Sequence, residues 1–215
     1  MKLLPFLALL FTTVLAVHAD VVIEQKVESA QLNGNMTMKI KGDQARIDTP
    51  SPAGQATTIM NTKTGDMTTL MHSQKMAVKM NMNAMRQQAG LDSSKLEKPK
   101  ATGVTEKVGE WTAEIYEFNT NGVSGKAWVA KDFPNYEAFR DELKKVSAAS
   151  AGGMDISKMD MPGMVVKTQV NIPGMGALTS TLISAKQAPV ADTEFAIPSG
   201  YTEMKMPTLP NAAPK

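Results

Sequence analysis

The chain has 215 residues, a formal net charge of +2, 5% aromatic residues and no cysteine. Disulfides, thiolate metal sites and thiol catalysis are therefore excluded, and neither a basic field nor a set of stacking aromatics marks a nucleic-acid partner. The length suits one domain able to bury a sizeable core.

The sequence opens MKLLPFLALLFTTVLAVHAD, with one lysine, an apolar run from Leu3 to Val17 and Val17-His18-Ala19 before Asp20. A short basic region, an apolar stretch too short for a comfortable membrane span and a small residue at the exit predict a secretory signal peptide over 1–19, cut near Ala19. No later run is apolar for long enough to cross a bilayer, so the mature chain is expected to be periplasmic or secreted and to lack a transmembrane segment. Only peripheral contact with the envelope membrane is then available to it.

From Val21 to Met80, short alternating runs broken by turn residues predict an antiparallel meander of six strands. VVIEQKVES is followed by a turn expected at Asn33-Gly34. In NMTMKIK, Met36, Met38 and Ile40 share one face and Thr37, Lys39 and Lys41 the other. Gly42-Asp43, SPAG (51–54), Thr64-Gly65-Asp66 and His72-Ser73-Gln74 supply the remaining turns. NMNAMRQQAGL predicts a short helix capped by Asn81 and stopped at Gly90, and SSKLEKPKATG reads as a polar linker.

WTAEIYEFNTNGVSGKAWVAK predicts two strands around Asn121-Gly122, the strongest hairpin signal in the chain. PNYEAFRDELKKVSAAS is the clearest helix. It places Phe139, Leu143 and Val146 on one side, with Arg140, Asp141, Glu142, Lys144 and Lys145 mostly on the other. A methionine-rich connection, MDISKMDMPGM (154–164), leads to a second hairpin, GMVVKTQVNI and ALTSTLISAKQ. FAIPSGYTEMKMP closes the domain over 20–206, and residues 207–215 are expected to be a disordered tail.

The run of "KGDQARID", "KMAVKM" before a short helix, "GKAWVAKDFPNYEAF", "PGMVVK" and "FAIPSGYTEM" resembles an exported bacterial domain-of-unknown-function family, number 4412. That family is similar to the LolA and LolB lipoprotein-carrier superfamily. The resemblance spans roughly Val21 to Met206 and is carried by Gly42, Asp43, Arg46, Trp128, Phe195, Pro198, Gly200 and Tyr201. It implies an α+β, mainly β architecture: an antiparallel sheet curled into a half-barrel, two or three helices over its concave face, and an apolar cavity between them.

Catalytic raw material is sparse, and the protein is expected not to be an enzyme. His72 is the only histidine after the leader, and no G-x-S-x-G nucleophile turn or glycine-rich phosphate loop is present. No cofactor is expected. The carboxylates are scattered at strand ends and along the long helix, where charge is ordinarily solvated.

The methionines stand out, 17 in all. MNMNAM (80–85) and MDMPGM (159–164) have the thioether spacing of a Cu(I) or Ag(I) site, with Met154, Met159, Met161 and Met164 as its ligands. Methionine also fills adaptable apolar surfaces, and its spread over strand positions favours the lining of a cavity. The expected function is binding of an apolar small molecule, a lipid or an acyl chain. Met36, Met38, Met85, Trp128, Phe133, Phe139 and Leu143 are its expected lining, and MDISKMDMPGM is a flexible lid at its mouth. Metal buffering and a purely structural envelope role are the alternatives.

Overall fold

The computed structural model describes residues 20–89, 98–120, 123–149, 161–172 and 176–205. The first six strands are β1 (Val21–Ser29), β2 (Asn33–Lys41), β3 (Gln44–Ser51), β4 (Gly54–Asn61), β5 (Asp66–Met71) and β6 (Met76–Asn81). They form the expected meander. The β2–β3 hairpin closes from Lys41 to Gln44 over a two-residue turn, and Gly42 adopts the left-handed backbone (φ +57°) that such a turn requires.

Helix α1 (Met82–Ala89) follows, started by Asn81, whose side-chain oxygen accepts the Ala84 N–H at 3.0 Å. Next come β7 (Lys100–Val108), β8 (Trp111–Thr120), β9 (Val123–Ala130), α2 (Tyr136–Ala149), β10 (Met164–Ile172), β11 (Gly176–Gln187), a short 3-10 helix (Asp192–Phe195) and β12 (Thr202–Lys205).

All twelve strands join one curled sheet in the order β12-β6-β5-β4-β3-β2-β1-β11-β10-β9-β8-β7, and the sheet does not close. Each neighbouring pair is antiparallel except β12 and β6. The β10–β11 ladder covers only Lys167–Ile172 against Gly176–Thr181. Beyond it, Met164 and Val165 pair with β9 while Leu182–Gln187 pair with β1, so the two strands part. α2 belongs to this region. Its Phe139, Val146 and Ala149 join Ile23, Ile40, Met164, Val166 and Leu182 in the main core, with Leu143 packed against it. The spacing of Phe139, Leu143 and Val146 puts them along one stripe of the helix.

The segment from Ala188 to Tyr201 crosses the other face of the meander. Side chains alternate along a strand, so Arg46, Asp48, Thr57 and Leu70 point away from the face that carries Met38 and Ile47. The segment is tied down strand by strand. Asp20 accepts the Val190 N–H at 2.8 Å, Lys41 donates to the Val190 carbonyl at 2.7 Å and pairs with Asp192, and Lys39 pairs with Glu194. Arg46 donates to the Glu194 carbonyl at 2.8 Å. Thr57, Leu70 and Ala77, on the crossed face, are fully buried. Beyond Tyr201 the chain adds itself to the sheet edge as β12, with Lys79 and Glu203 paired across the join.

Two expectations change. Asn33 and Gly34 lie in β2, paired with Glu28 and Val27, so the turn sits at 29–32. The Ser29 hydroxyl accepts the Gln31 and Leu32 N–H groups there, an arrangement that sets the turn earlier than the Asn-Gly pair. Residues 100–103, read as linker, begin β7. That strand is at the sheet edge and exposed almost throughout, so it carries no alternation to read. The closing segment ends in a strand, which pairs in parallel. Residues 121–122, 173–175, the expected leader 1–19, Gly90 and the expected tail 207–215 lie outside the described residues.

Candidate ligand cavity

A cavity of about 330 Å³ lies between the sheet and α2. This is at the small end of ligand pockets, which run from roughly 300 to 1,000 Å³. β1 and β2 contribute Ile23, Gln25, Met36 and Met38. β8 and β9 contribute Phe118 and Ala127, β10 contributes Met164, Val165, Thr168 and Val170, and β11 contributes Ser180. α2 supplies Tyr136, Arg140, Leu143, Lys144 and Ser147, and the bend before β10 supplies Met161 and Gly163. The Tyr136 hydroxyl donates to the Met161 carbonyl at 3.0 Å, pinning that bend to the start of α2.

The sheet wall is apolar apart from Thr168, Gln25 and Ser180, and the Ser180 hydroxyl donates to Gln25 Oε1 at 3.0 Å. Phe118 lies over Gly125, its cross-strand partner: a Cβ there would stand 2.5 Å from Phe118 Cζ and 2.7 Å from the Gln169 carbonyl oxygen. The glycine lets the ring lie against the strand.

Of the expected lining residues, Met36, Met38 and Leu143 line the cavity. Phe133 and Phe139 do not. They pack in the core with Trp111, edge-on to one another at a centroid distance of 5.9 Å. Trp128 belongs to the same core, its indole N–H donating to Glu106 at 2.8 Å and its ring under Lys167 Nζ. Met85 lies on α1, 41% exposed. Of the thioethers expected as metal ligands, Met161 and Met164 face the cavity beside Met36 and Met38, while Met154 and Met159 lie outside the described residues. Among the described residues, no three His, Cys, Asp or Glu side chains come together as a metal site.

Phe118, Val165 and Val170 were not singled out in the sequence; strict alternation puts Val165 and Val170 on opposite faces of β10, and the register shift between Val165 and Lys167 brings both to the cavity. Arg140 and Lys144 read as the solvated side of an amphipathic helix. They flank its apolar stripe, and that flank lines the cavity.

The crossed face carries the densest polar arrangement. Thr57 Oγ1 donates to Asp48 Oδ1 at 2.5 Å, so with its one hydrogen spent it accepts from His72 Nε2 at 2.8 Å. In the tautomer with its hydrogen on Nε2, the His72 ring accepts the Tyr201 O–H at Nδ1. Arg46 Nε donates to both Asp48 oxygens, at 3.1 and 2.9 Å. Burial opposes ionisation of Asp48, but bonds from Arg46 and Thr57 and the charges of Arg46 and Lys39 outweigh it, holding the carboxyl below its ordinary range. The series has the outline of a catalytic relay, yet Thr57 is fully buried and offers no hydroxyl to a substrate. Its bonds join β3, β4, the β5–β6 turn and Tyr201.

Residues 21–201 match a family described as a domain of unknown function, DUF4412, and the chain belongs to that family. No curated protein matches the sequence. Among solved structures, PNGF-II is similar over 87% of this chain at 15% identity with a TM-score of 0.44, and this chain spans only 31% of its length. An uncharacterized conserved protein from Thermus thermophilus is similar over 88% of this chain and 92% of its own, at 6% identity and a TM-score of 0.54. A LolA superfamily protein from Nitrosomonas europaea is similar over 83% and 89%, at 12% identity and a TM-score of 0.30. Among the described residues, no helix is long and apolar enough to cross a membrane.

Proposed function

We propose that this DUF4412 protein is an exported, non-enzymatic binding protein. Its curled sheet serves as a half-barrel that holds an apolar guest, a lipid or acyl chain, against α2. The observation that carries the reading is the cavity itself, about 330 Å³ and walled mainly by Met, Val, Leu, Ile and Phe side chains. A well-packed domain closes such space, because an unfilled void forfeits dispersion contacts, whereas a ligand site keeps it open. Four methionines around it supply flexible, polarizable walls that adapt to differing guests. Cleavage near Ala19 would deliver the chain to the periplasm or the exterior.

Native mass spectrometry of protein purified from the periplasm tests this, with co-purifying lipid expected. Uptake of a fluorescent fatty acid is expected as well, and Leu143→Trp, which fills the cavity, should abolish it. A clean apo mass together with no uptake would reject the reading.

The convergence of Met36, Met38, Met161 and Met164 on one cavity supports a second reading, soft-metal binding. Anaerobic Ag(I) titration of wild type and of a Met161→Leu, Met164→Leu variant separates the two. Equal affinities reject the metal reading.

A further inference from the structure

Resting on the cavity reading above, we propose that the guest is a single-chain amphiphile with an anionic head group, and that Lys144 is the residue that recognises the head. The argument begins with the charges. Among the described residues, no Asp or Glu lines the cavity, and the charged lining residues are Arg140 and Lys144, one turn apart on α2.

The two cations differ in what already holds them. Arg140 is engaged by Glu137 and Asp141, and its pKa is raised by the Asp141 hydrogen bond against a smaller opposing effect of burial. Lys144 pairs with no carboxylate among the described residues, although its neighbour Lys145 is held by Glu142 at 2.7 Å. Lys144 is half-buried beside an apolar wall, and a cation on such a border favours an anion that arrives attached to an apolar chain. Ser147, one turn further along α2, adds a hydroxyl to the same rim.

Size narrows the class. A cavity at the lower end of the ligand-pocket range suits one chain rather than the paired chains of a membrane phospholipid. The head chemistry has two sources, a free carboxylate or a monoester phosphate.

Calorimetric titration with dodecanoate, dodecyl phosphate and dodecanol distinguishes these and tests the whole. One or both anions are expected to bind about tenfold or more tightly than the alcohol, the scale of a charge-assisted hydrogen bond. Whichever anion leads identifies the source. Lys144→Gln should remove the preference, so that the anions bind no more tightly than dodecanol. Equal binding of alcohol and anions, or a preference that survives Lys144→Gln, overturns the head-group assignment while the cavity reading stands. Failure of all three probes to bind overturns both.

Discussion

Replacing Thr57 by valine removes one hydroxyl from a fully buried position and leaves the side-chain shape almost unchanged. Two short hydrogen bonds disappear: the 2.5 Å bond to the Asp48 carboxylate and the 2.8 Å bond to His72. A bond to a charged group contributes about 1.5–3 kcal/mol and a neutral one about 0.5–1.5, so the loss comes to about 3 kcal/mol. In a domain of this size that corresponds to a Tm drop of roughly 6–12 °C. Thr57→Ser keeps the hydroxyl and loses one buried methyl, at a cost of about 1 kcal/mol. Thermal unfolding followed by circular dichroism, with urea titration at 25 °C, measures both. A valine variant that melts with wild type, or above the serine variant, would refute the claim that this polar series stabilises the fold.

Further outcomes follow from the same geometry. Asp48 has a lowered folded pKa, so its stabilisation is complete above the unfolded value of about 3.9 and is lost as pH falls through the folded one. Melting should therefore weaken below about pH 4, and more gently in Asp48→Asn; Asp66 and Glu114, also lowered, keep some acid sensitivity in that variant. Lys75 holds a left-handed backbone (φ +49°) while its carbonyl accepts the Thr202 N–H at 2.8 Å, so Lys75→Gly should stabilise by about 0.5–1 kcal/mol, read as a higher urea midpoint. Gly125→Ala forces the new methyl into the Phe118 ring and the Gln169 carbonyl and should cost about 1–3 kcal/mol by the same titration, with a disturbed Phe118 signal in aromatic NMR.

The meander was legible because β1 to β6 each carry turn residues at their ends, and a half-buried strand such as β2 writes its register as Met36, Met38, Ile40 against Thr37, Lys39. α2 was legible through the spacing of Phe139, Leu143 and Val146. Strand β7 was not, because an exposed edge strand carries no alternation even though it pairs with its neighbour β8, and the crossing segment was not, because its partners lie far away in sequence. The four exposed residues of β12 form a strand only because β6 offers an edge. The cavity was half legible. Met36, Met38 and Leu143 follow from one-face alternation, whereas the large aromatics Trp128, Phe133 and Phe139 were drawn into the core, where their area removes the most surface from water. Periodicity separates the inside of a helix from its outside. It does not mark which flank borders an opening, and so Lys144 read as solvated.

The crossing segment also fixes the order in which the chain can complete its fold. Its ties to Asp20, Lys41, Arg46 and His72 link residues 129 to 170 positions apart. Contacts of such separation form late, after loop closure has been overcome, and topologies rich in them fold slowly. During synthesis the meander emerges first, yet its crossed face and the β6 edge stay bare until the last residues of the domain arrive. A chain stopped before Thr202 would present the six residues of β6 as its edge in place of the four of β12, a longer template for pairing with other chains. Residues 188–205 thus work as a latch on the meander, which stays unlocked until they are made.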